Sequence, residues 1–277
     1  MAEPFFFLTC GRLISPAWLM CPGARGTVEL PLTVGVVPRG DGRYVLVDCG
    51  FAGPEMTRPL RHLGPWGAMY RFREPRTIAE QLADRGIAPG SVSHIVATHL
   101  HLDHIGGFVD FPHAELLATP AEIESVMSRG QFAGYHHGKA LAKSGRLVPL
   151  ALESGERHGF PAHHDLLGDG RVLVLEARGH TAGSVAVLLT DGRRSILHAG
   201  DAAYDPVAYR EGRQSVLSKV TAFRKDWLQA TWGRLRDYEA AGGDVLLAHD
   251  PQGFARVTGA TSYPQVSPGT QMPGGHR

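Results

Sequence analysis

Thr98-His99-Leu100-His101-Leu102-Asp103-His104 crowds three imidazoles and a carboxylate into the six residues from His99 to His104. Residues 93–98 are mostly apolar or β-branched, so they read as a buried strand that delivers the cluster at its end. Imidazole and carboxylate are the side chains that hold divalent cations, and a merely solvated surface gives no reason to space four of them so closely. A metal site at a strand end is the expectation.

Outward from the cluster, short β-rich runs alternate with helical stretches, which predicts an α/β sandwich. Upstream, residues 32–37 (Leu-Thr-Val-Gly-Val-Val) and 44–47 (Tyr-Val-Leu-Val) read as paired strands joined by the turn Pro38-Arg39-Gly40-Asp41-Gly42, and the second runs into Asp48-Cys49-Gly50. Residues 76–85 predict an amphipathic helix, with Ile78 and Leu82 four apart and Gly86 as its stop. Downstream, strands are expected near 171–175, 185–190 and 195–198, then a helix over 225–241 and a strand over 244–248. The runs 44–50 and 195–201 read as equivalent strand-to-loop turns, consistent with two similar halves. One domain is expected over 1–258, followed by a Pro/Gly-rich tail over 259–277 that lacks periodicity and reads as loosely ordered.

With 277 residues and 43% apolar side chains, the chain has material for a sizeable core. Its 28 basic and 27 acidic residues leave no net field to draw it to nucleic acid or to an anionic membrane. No apolar run approaches the roughly 20 residues of a membrane-spanning helix. The N-terminus carries Glu3 and Pro4 early and lacks the basic region and the small-residue cleavage site of a signal peptide. A cytoplasmic protein without nucleic-acid or membrane partners is expected. Cys10, Cys21 and Cys49 form no CxxC pair and are too few for a disulfide framework, so they read as buried or idle thiols.

A metal centre on such a sandwich draws its other ligands from loops that leave neighbouring strands at one edge. His180 lies in the Gly-flanked turn Arg178-Gly179-His180-Thr181-Ala182-Gly183, Asp201 closes Ala199-Gly200-Asp201 after a strand, and His249 follows Leu246-Leu247-Ala248. In this order the set resembles the metallo-β-lactamase fold superfamily, whose pattern is HxHxDH, a distant His, an Asp and a last His. The turns Asp48-Cys49-Gly50 and Gly179-His180-Thr181 are similar to that family's as well, and all seven ligand positions between His99 and His249 are filled. The resemblance implies an αββα sandwich, two β-sheets with helices outside, and two metal ions at the sheet edge. By position it puts His99, His101 and His180 on one ion and Asp103, His104 and His249 on the other, with Asp201 bridging.

Zinc is the first choice of ion, although imidazoles and carboxylates without cysteine also suit manganese, cobalt or iron. Two adjacent divalent ions bring the pKa of a shared water from 15.7 toward roughly 7, which makes hydroxide available as a nucleophile, and each ion polarises an oxygen. A dinuclear hydrolase is the expected class. Within it, Tyr204, three residues after Asp201, resembles the N-acyl-homoserine lactonase (quorum-quenching) branch. So do Leu8-Thr9-Cys10-Gly11-Arg12, read as preceding a long loop, and the pair His249-Asp250. The branch implies that the bridging hydroxide opens a lactone ring, that the Tyr204 phenol stabilises the oxyanion, and that Asp103 carries the proton to the leaving oxygen. The expected partner is a small-molecule lactone, and a homodimer is compatible with the chain.

An acylated substrate needs an apolar groove. Ile14, Trp18 and Met20 in a loop over 13–20, and Trp66, Met69 and Phe72 in an aromatic loop over 66–72, are the candidates, with Phe132 and Tyr135 as a lid. His136-His137 and His163-His164 fall outside the ligand pattern and read as solvated loop residues. A glyoxalase II-like thioesterase shares the ligands but needs a basic cluster near its C-terminus, and only Arg256 and Arg277 follow His249 here. A persulfide dioxygenase would carry a single iron. Asp201 in the bridging place disfavours a β-lactamase, and the lack of added basic clamps disfavours a nuclease.

Overall fold

Alternating side chains along the strands decide the layering. In the computed structural model, which describes residues 3–63, 65, 68, 71–129, 141 and 144–260, the strands gather into two sheets. β1 (Phe6–Pro16), β2 (Thr27–Pro38), β3 (Tyr44–Val47), β4 (Arg71–Arg73), β5 (Val92–Val96), β6 (Glu115–Ala118) and β7 (Leu147–Pro149) form a seven-stranded sheet in the order β4-β1-β2-β3-β5-β6-β7. β8 (Glu153–Arg157), β9 (Phe160–Asp165), β10 (Val172–Glu176), β11 (Val185–Thr190), β12 (Ser195–His198) and β13 (Val245–Leu246) form a six-stranded sheet in the order β13-β12-β11-β10-β9-β8.

Val45 and Val47 of β3 pack into the space between the sheets against Val172, Val174, Val187 and Leu189, while Leu46 points to the opposite face. That outer face is covered by the helices Ile78–Ala83 and Pro120–Arg129, through Ile78, Leu82 and Val126. On the second sheet, Leu173, Leu175 and Leu188 face outward onto the helix Lys225–Ala240, which contributes Leu228, Trp232 and Leu235. Burying each of those leucines contributes roughly 2 kcal/mol, so the outer helices are held by packing more than by propensity. The order helix, sheet, sheet, helix is the expected αββα sandwich. The helix Ile78–Ala83 begins with a complete capping box between Thr77 and Glu80. No helix among the described residues is long and apolar enough to cross a membrane.

Several local expectations are corrected. Residues 13–16 belong to β1 and not to a loop: an irregularity between Thr9 and Arg12 breaks the alternation in the sequence, yet pairing with β2 resumes from Arg12 opposite Pro31 to Pro16 opposite Thr27. The chain then turns into a short helix, Ala17–Met20. Phe72 lies in β4, antiparallel to β1, because Leu13 recruits it as a ladder partner. The strand expected over 244–248 is shorter, Val245–Leu246; beyond it, the Ala248 carbonyl accepts the Thr33 amide of the other sheet at 3.1 Å. His163 and His164 lie in β9 opposite Leu175 and Val174, half-buried and not in a loop. Trp66, Met69, Phe132, Tyr135, His136, His137 and the tail from residue 261 fall outside the described residues.

Candidate metal centre

Each ligand-type side chain leaves the end of a strand, and all the ends lie along one seam between the sheets. β5 ends at Val96 and releases His99 to His104; β10 leads to His180, β12 to Asp201 and β13 to His249. The seam is stitched by backbone hydrogen bonds, from the Val185 amide to the Thr98 carbonyl at 2.9 Å and from the Thr33 amide to the Ala248 carbonyl at 3.1 Å. Below it runs the helix Lys225–Ala240, whose Trp232 Nε1 donates to the Ala202 carbonyl at 2.6 Å and whose Thr231 hydroxyl donates to the Arg178 carbonyl at 2.7 Å.

Two groups of ligand atoms result, each with every atom within 4.8 Å of the others: His99, His101 and His180, and Asp103, His104, Asp201 and His249. In the first group His99 Nε2 lies 2.9 Å from His101 Nδ1 and 3.2 Å from His180 Nε2, which is 3.1 Å from His101 Nδ1. A ring nitrogen carries either a proton or a lone pair, so no assignment of protons satisfies all three contacts. Nitrogens bound at about 2.0–2.1 Å to one tetrahedral cation would be about 3.3 Å apart. In the second group, Asp201 Oδ1 is 3.2 Å from both His104 Nε2 and His249 Nε2, and its Oδ2 is 3.6 Å from His180 Nε2 and 3.9 Å from His99 Nε2. One oxygen faces each group. His104 Nε2 and Asp201 Oδ1 are buried yet make no sound hydrogen bond. Buried polar atoms without partners are costly, and a cation between them removes the cost. The residues therefore fit a divalent metal centre.

Electrostatics divides the two groups in the same way. Burial, reinforced by neighbouring imidazoles, holds His99 well below its ordinary value, and burial likewise takes His180 down to about 3 despite Asp201. Both rings are neutral and offer lone pairs. Burial opposes charge on His104 and His249 too, but there Asp201 outweighs it with the help of Asp103, and for His104 of Asp48, raising His104 well above the usual range and His249 to about 10. Burial alone would raise Asp103, but His104 and the hydrogen bond from His249 bring it down to about 2. His101 and Asp103 are only half-buried, which leaves the centre open to solvent on their side.

Sequence reasoning did not foresee what aims these ligands. Asp48, 1% exposed, accepts the Thr98 amide at 2.7 Å, the Thr98 hydroxyl at 2.9 Å and His104 Nδ1 at 2.8 Å. That bond leaves His104 Nε2 for the centre, as the bond from His249 Nδ1 to the Pro31 carbonyl at 2.9 Å does for His249. Asp48 holds a left-handed φ of 60°, a conformation rare outside glycine that persists where surrounding structure demands it. The signal in the sequence was a carboxylate directly after a four-residue apolar strand.

Tyr204 is buried on a small apolar cluster of Leu13, Ala17, Met20, Val28 and Leu30. Its ring centroid lies 6.1 Å from that of His180 and 5.9 Å from that of His249, so the ring neighbours one histidine of each group. Met20 lies inside this cluster, only 2% exposed, whereas Trp18 is half exposed and Ile14 half-buried. Phe72 packs edge-on against Phe51, centroids 5.1 Å apart, and touches the Tyr204 cluster.

Fold and site define a metal-dependent hydrolase of the two-sheet sandwich type. The sequence profile of the metallo-beta-lactamase superfamily matches residues 32–233, and the chain belongs to that superfamily. Over 218 residues it is 35% identical to a probable metallo-hydrolase of Mycobacterium tuberculosis, covering 76% of this chain and 69% of that protein. Over 252 residues it is 26% identical to the N-acyl homoserine lactonase AttM of Rhizobium johnstonii, covering 88% of this chain and 91% of that one. Among solved structures, an N-acyl homoserine lactone hydrolase with N-hexanoyl-L-homoserine bound at its catalytic metal centre superimposes with a TM-score of 0.72 at 18% identity, covering 91% of this chain and 95% of that one. The likeness to that structure is one of fold.

Proposed function

We propose that the protein is a lactonase with two metal ions that opens N-acyl-homoserine lactones or related lactones. The observation that carries this reading is the Tyr204 ring beside His180 of one ligand group and His249 of the other, with Asp201 presenting one oxygen to each group. His99, His101 and His180 would hold one ion, Asp103, His104 and His249 the other, and Asp201 both, with zinc the first choice. Bound there, the ions would supply Lewis acidity and hydroxide at neutral pH. Tyr204 donates a hydrogen bond to the substrate's carbonyl oxygen and stabilises the negative charge that develops on it. Asp103, at the solvent-facing side of the site, would accept the proton of the water-derived oxygen once that oxygen has bonded to the carbonyl carbon, and would pass it to the ring oxygen as the bond from that carbon to the ring oxygen breaks. Trp18 and the apolar rim beside Tyr204 receive the acyl chain. The similarity to a named lactonase over 88% of the chain supports the same reading.

The test is to purify the protein, count metals per chain, and follow proton release on a panel of short- and long-chain acyl-homoserine lactones, simple γ- and δ-lactones, S-lactoylglutathione and a β-lactam. Two ions per chain and fastest turnover of a lactone are expected. Turnover of the thioester far above every lactone would move the assignment to a glyoxalase II-like enzyme, and a single iron per chain would move it to a dioxygenase.

A further inference from the structure

Thr119-Pro120-Ala121-Glu122 carries the T-x-x-E signature of a capping box, in which the glutamate folds back onto the amide of the capping residue. Half of the box forms, the Thr119 hydroxyl accepting the Glu122 amide at 3.3 Å. The glutamate side chain is used differently. Its Oε1 accepts the Leu100 amide and its Oε2 the Gly183 amide, each at 3.0 Å, in a residue 1% exposed. Leu100 stands between His99 and His101, and Gly183 is three residues beyond His180. One carboxylate thus ties the loop leaving β5 in the first sheet to the loop leaving β10 in the second.

The tie is reinforced. The Thr119 hydroxyl donates to the Gly183 carbonyl at 2.8 Å, and a Cβ at Gly183 would overlap both the Thr119 hydroxyl and the Glu122 backbone. Burying a carboxylate costs free energy that a cap at the surface would avoid, so capping does not explain this side chain. We infer that Glu122 is a positioning residue that sets the distance between the His99–His101 loop and the His180 loop, and thereby the affinity of the three-imidazole site for its ion. This rests on the reading that those three histidines hold one ion.

The test titrates the metal-free wild type, Glu122→Gln and Val126→Ala with Co²⁺, following the visible absorption bands that report its coordination. An amide at 122 turns one acceptor into a donor facing an N–H, so one of the two loops loses its partner. Glu122→Gln is expected to weaken Co²⁺ binding at one site by about 10- to 100-fold and to alter its bands. Val126→Ala, which empties core volume on the same helix, should lower the thermal midpoint and leave Co²⁺ affinity unchanged. Equal affinity in Glu122→Gln and wild type overturns the inference while the metal reading stands; a wild type that takes up no Co²⁺ overturns both. If Glu122→Gln does not fold, hydrogen exchange on the metal-free wild type decides. Leu100 and Gly183 amides that open together support the tie, and amides that exchange independently overturn it.

Discussion

Asp201 and Tyr204 illustrate how much a single side chain owes to its neighbours. An aspartate after a strand is ordinarily a cap, and a tyrosine three residues later is ordinarily packing. Here the carboxylate meets two groups of imidazoles at once, and the phenol-bearing ring rests on Met20 and Leu30 while leaning toward His180 and His249. Tyr204→Phe keeps that packing and removes only the hydroxyl. Lactone turnover is expected to fall by about 10- to 1000-fold, in line with the loss of one oxyanion donor, with metal content unchanged. Steady-state kinetics beside metal analysis checks this; an unchanged rate would return Tyr204 to a packing role. At this scale the His99–His104 cluster was legible because its members are neighbours in the chain. The triple acceptor role of Asp48 was not, since two of its bonds run to Thr98 and one to His104, more than forty residues away.

Among the elements, the helix Lys225–Ala240 shows how packing positions chemistry. Gly179 holds a φ of +136°, and a Cβ there would overlap the backbone of Leu228, so the His180 loop sits directly on the helix. The Phe223 and Arg224 amides donate to the carbonyls of His180 and Gly179 at 3.0 and 3.2 Å and complete the junction. Gly179→Ala therefore has to move either the helix or the loop. It is expected to destabilise the protein by at least about 2 kcal/mol and to weaken metal binding, read by chemical denaturation and by metal titration of the surviving fold. Full stability and affinity would show that this junction has slack. The helix itself was evident from the sequence to within a residue, as were 185–190 and 195–198, because their periodicity is uninterrupted. β1 escaped notice because its irregularity at Thr9 to Arg12 shifts the alternation halfway along.

For the whole molecule, the ligand-type side chains come from both sheets, so ions held as proposed would act as a clasp across the seam. Ions that bind only the folded state stabilise it, and chelation is expected to lower the thermal midpoint while the inter-sheet core keeps the protein folded. The two states should respond to pH with opposite sign. In the metal-free protein, His249 is raised from 6.5 to about 10 by Asp201 and Asp103 against its burial. A raised value means that the protonated ring stabilises the fold, fully below 6.5 and progressively less as pH rises through about 10. The metal-free midpoint should thus fall across that window. With ions bound, the ligands must shed their protons, so stability should instead drop as pH falls below about 6. Thermal scans with and without chelator check both, and parallel curves would contradict the clasp.

By itself, the sequence marked a strand-end cluster of metal-ligand side chains and an alternation of strands with helices, and its resemblance to the metallo-β-lactamase fold superfamily singled out His180, Asp201 and His249 as companions of the cluster. The cluster and the alternation follow from local spacing and periodicity, which are properties of neighbours in the chain. Only the tertiary structure decided that the seven converge, that Asp201 faces both groups, and that Asp48 and Glu122 brace the loops carrying them. Such contacts join residues tens of positions apart, and they exist because burial of two apolar sheet faces brings the strand ends to one seam.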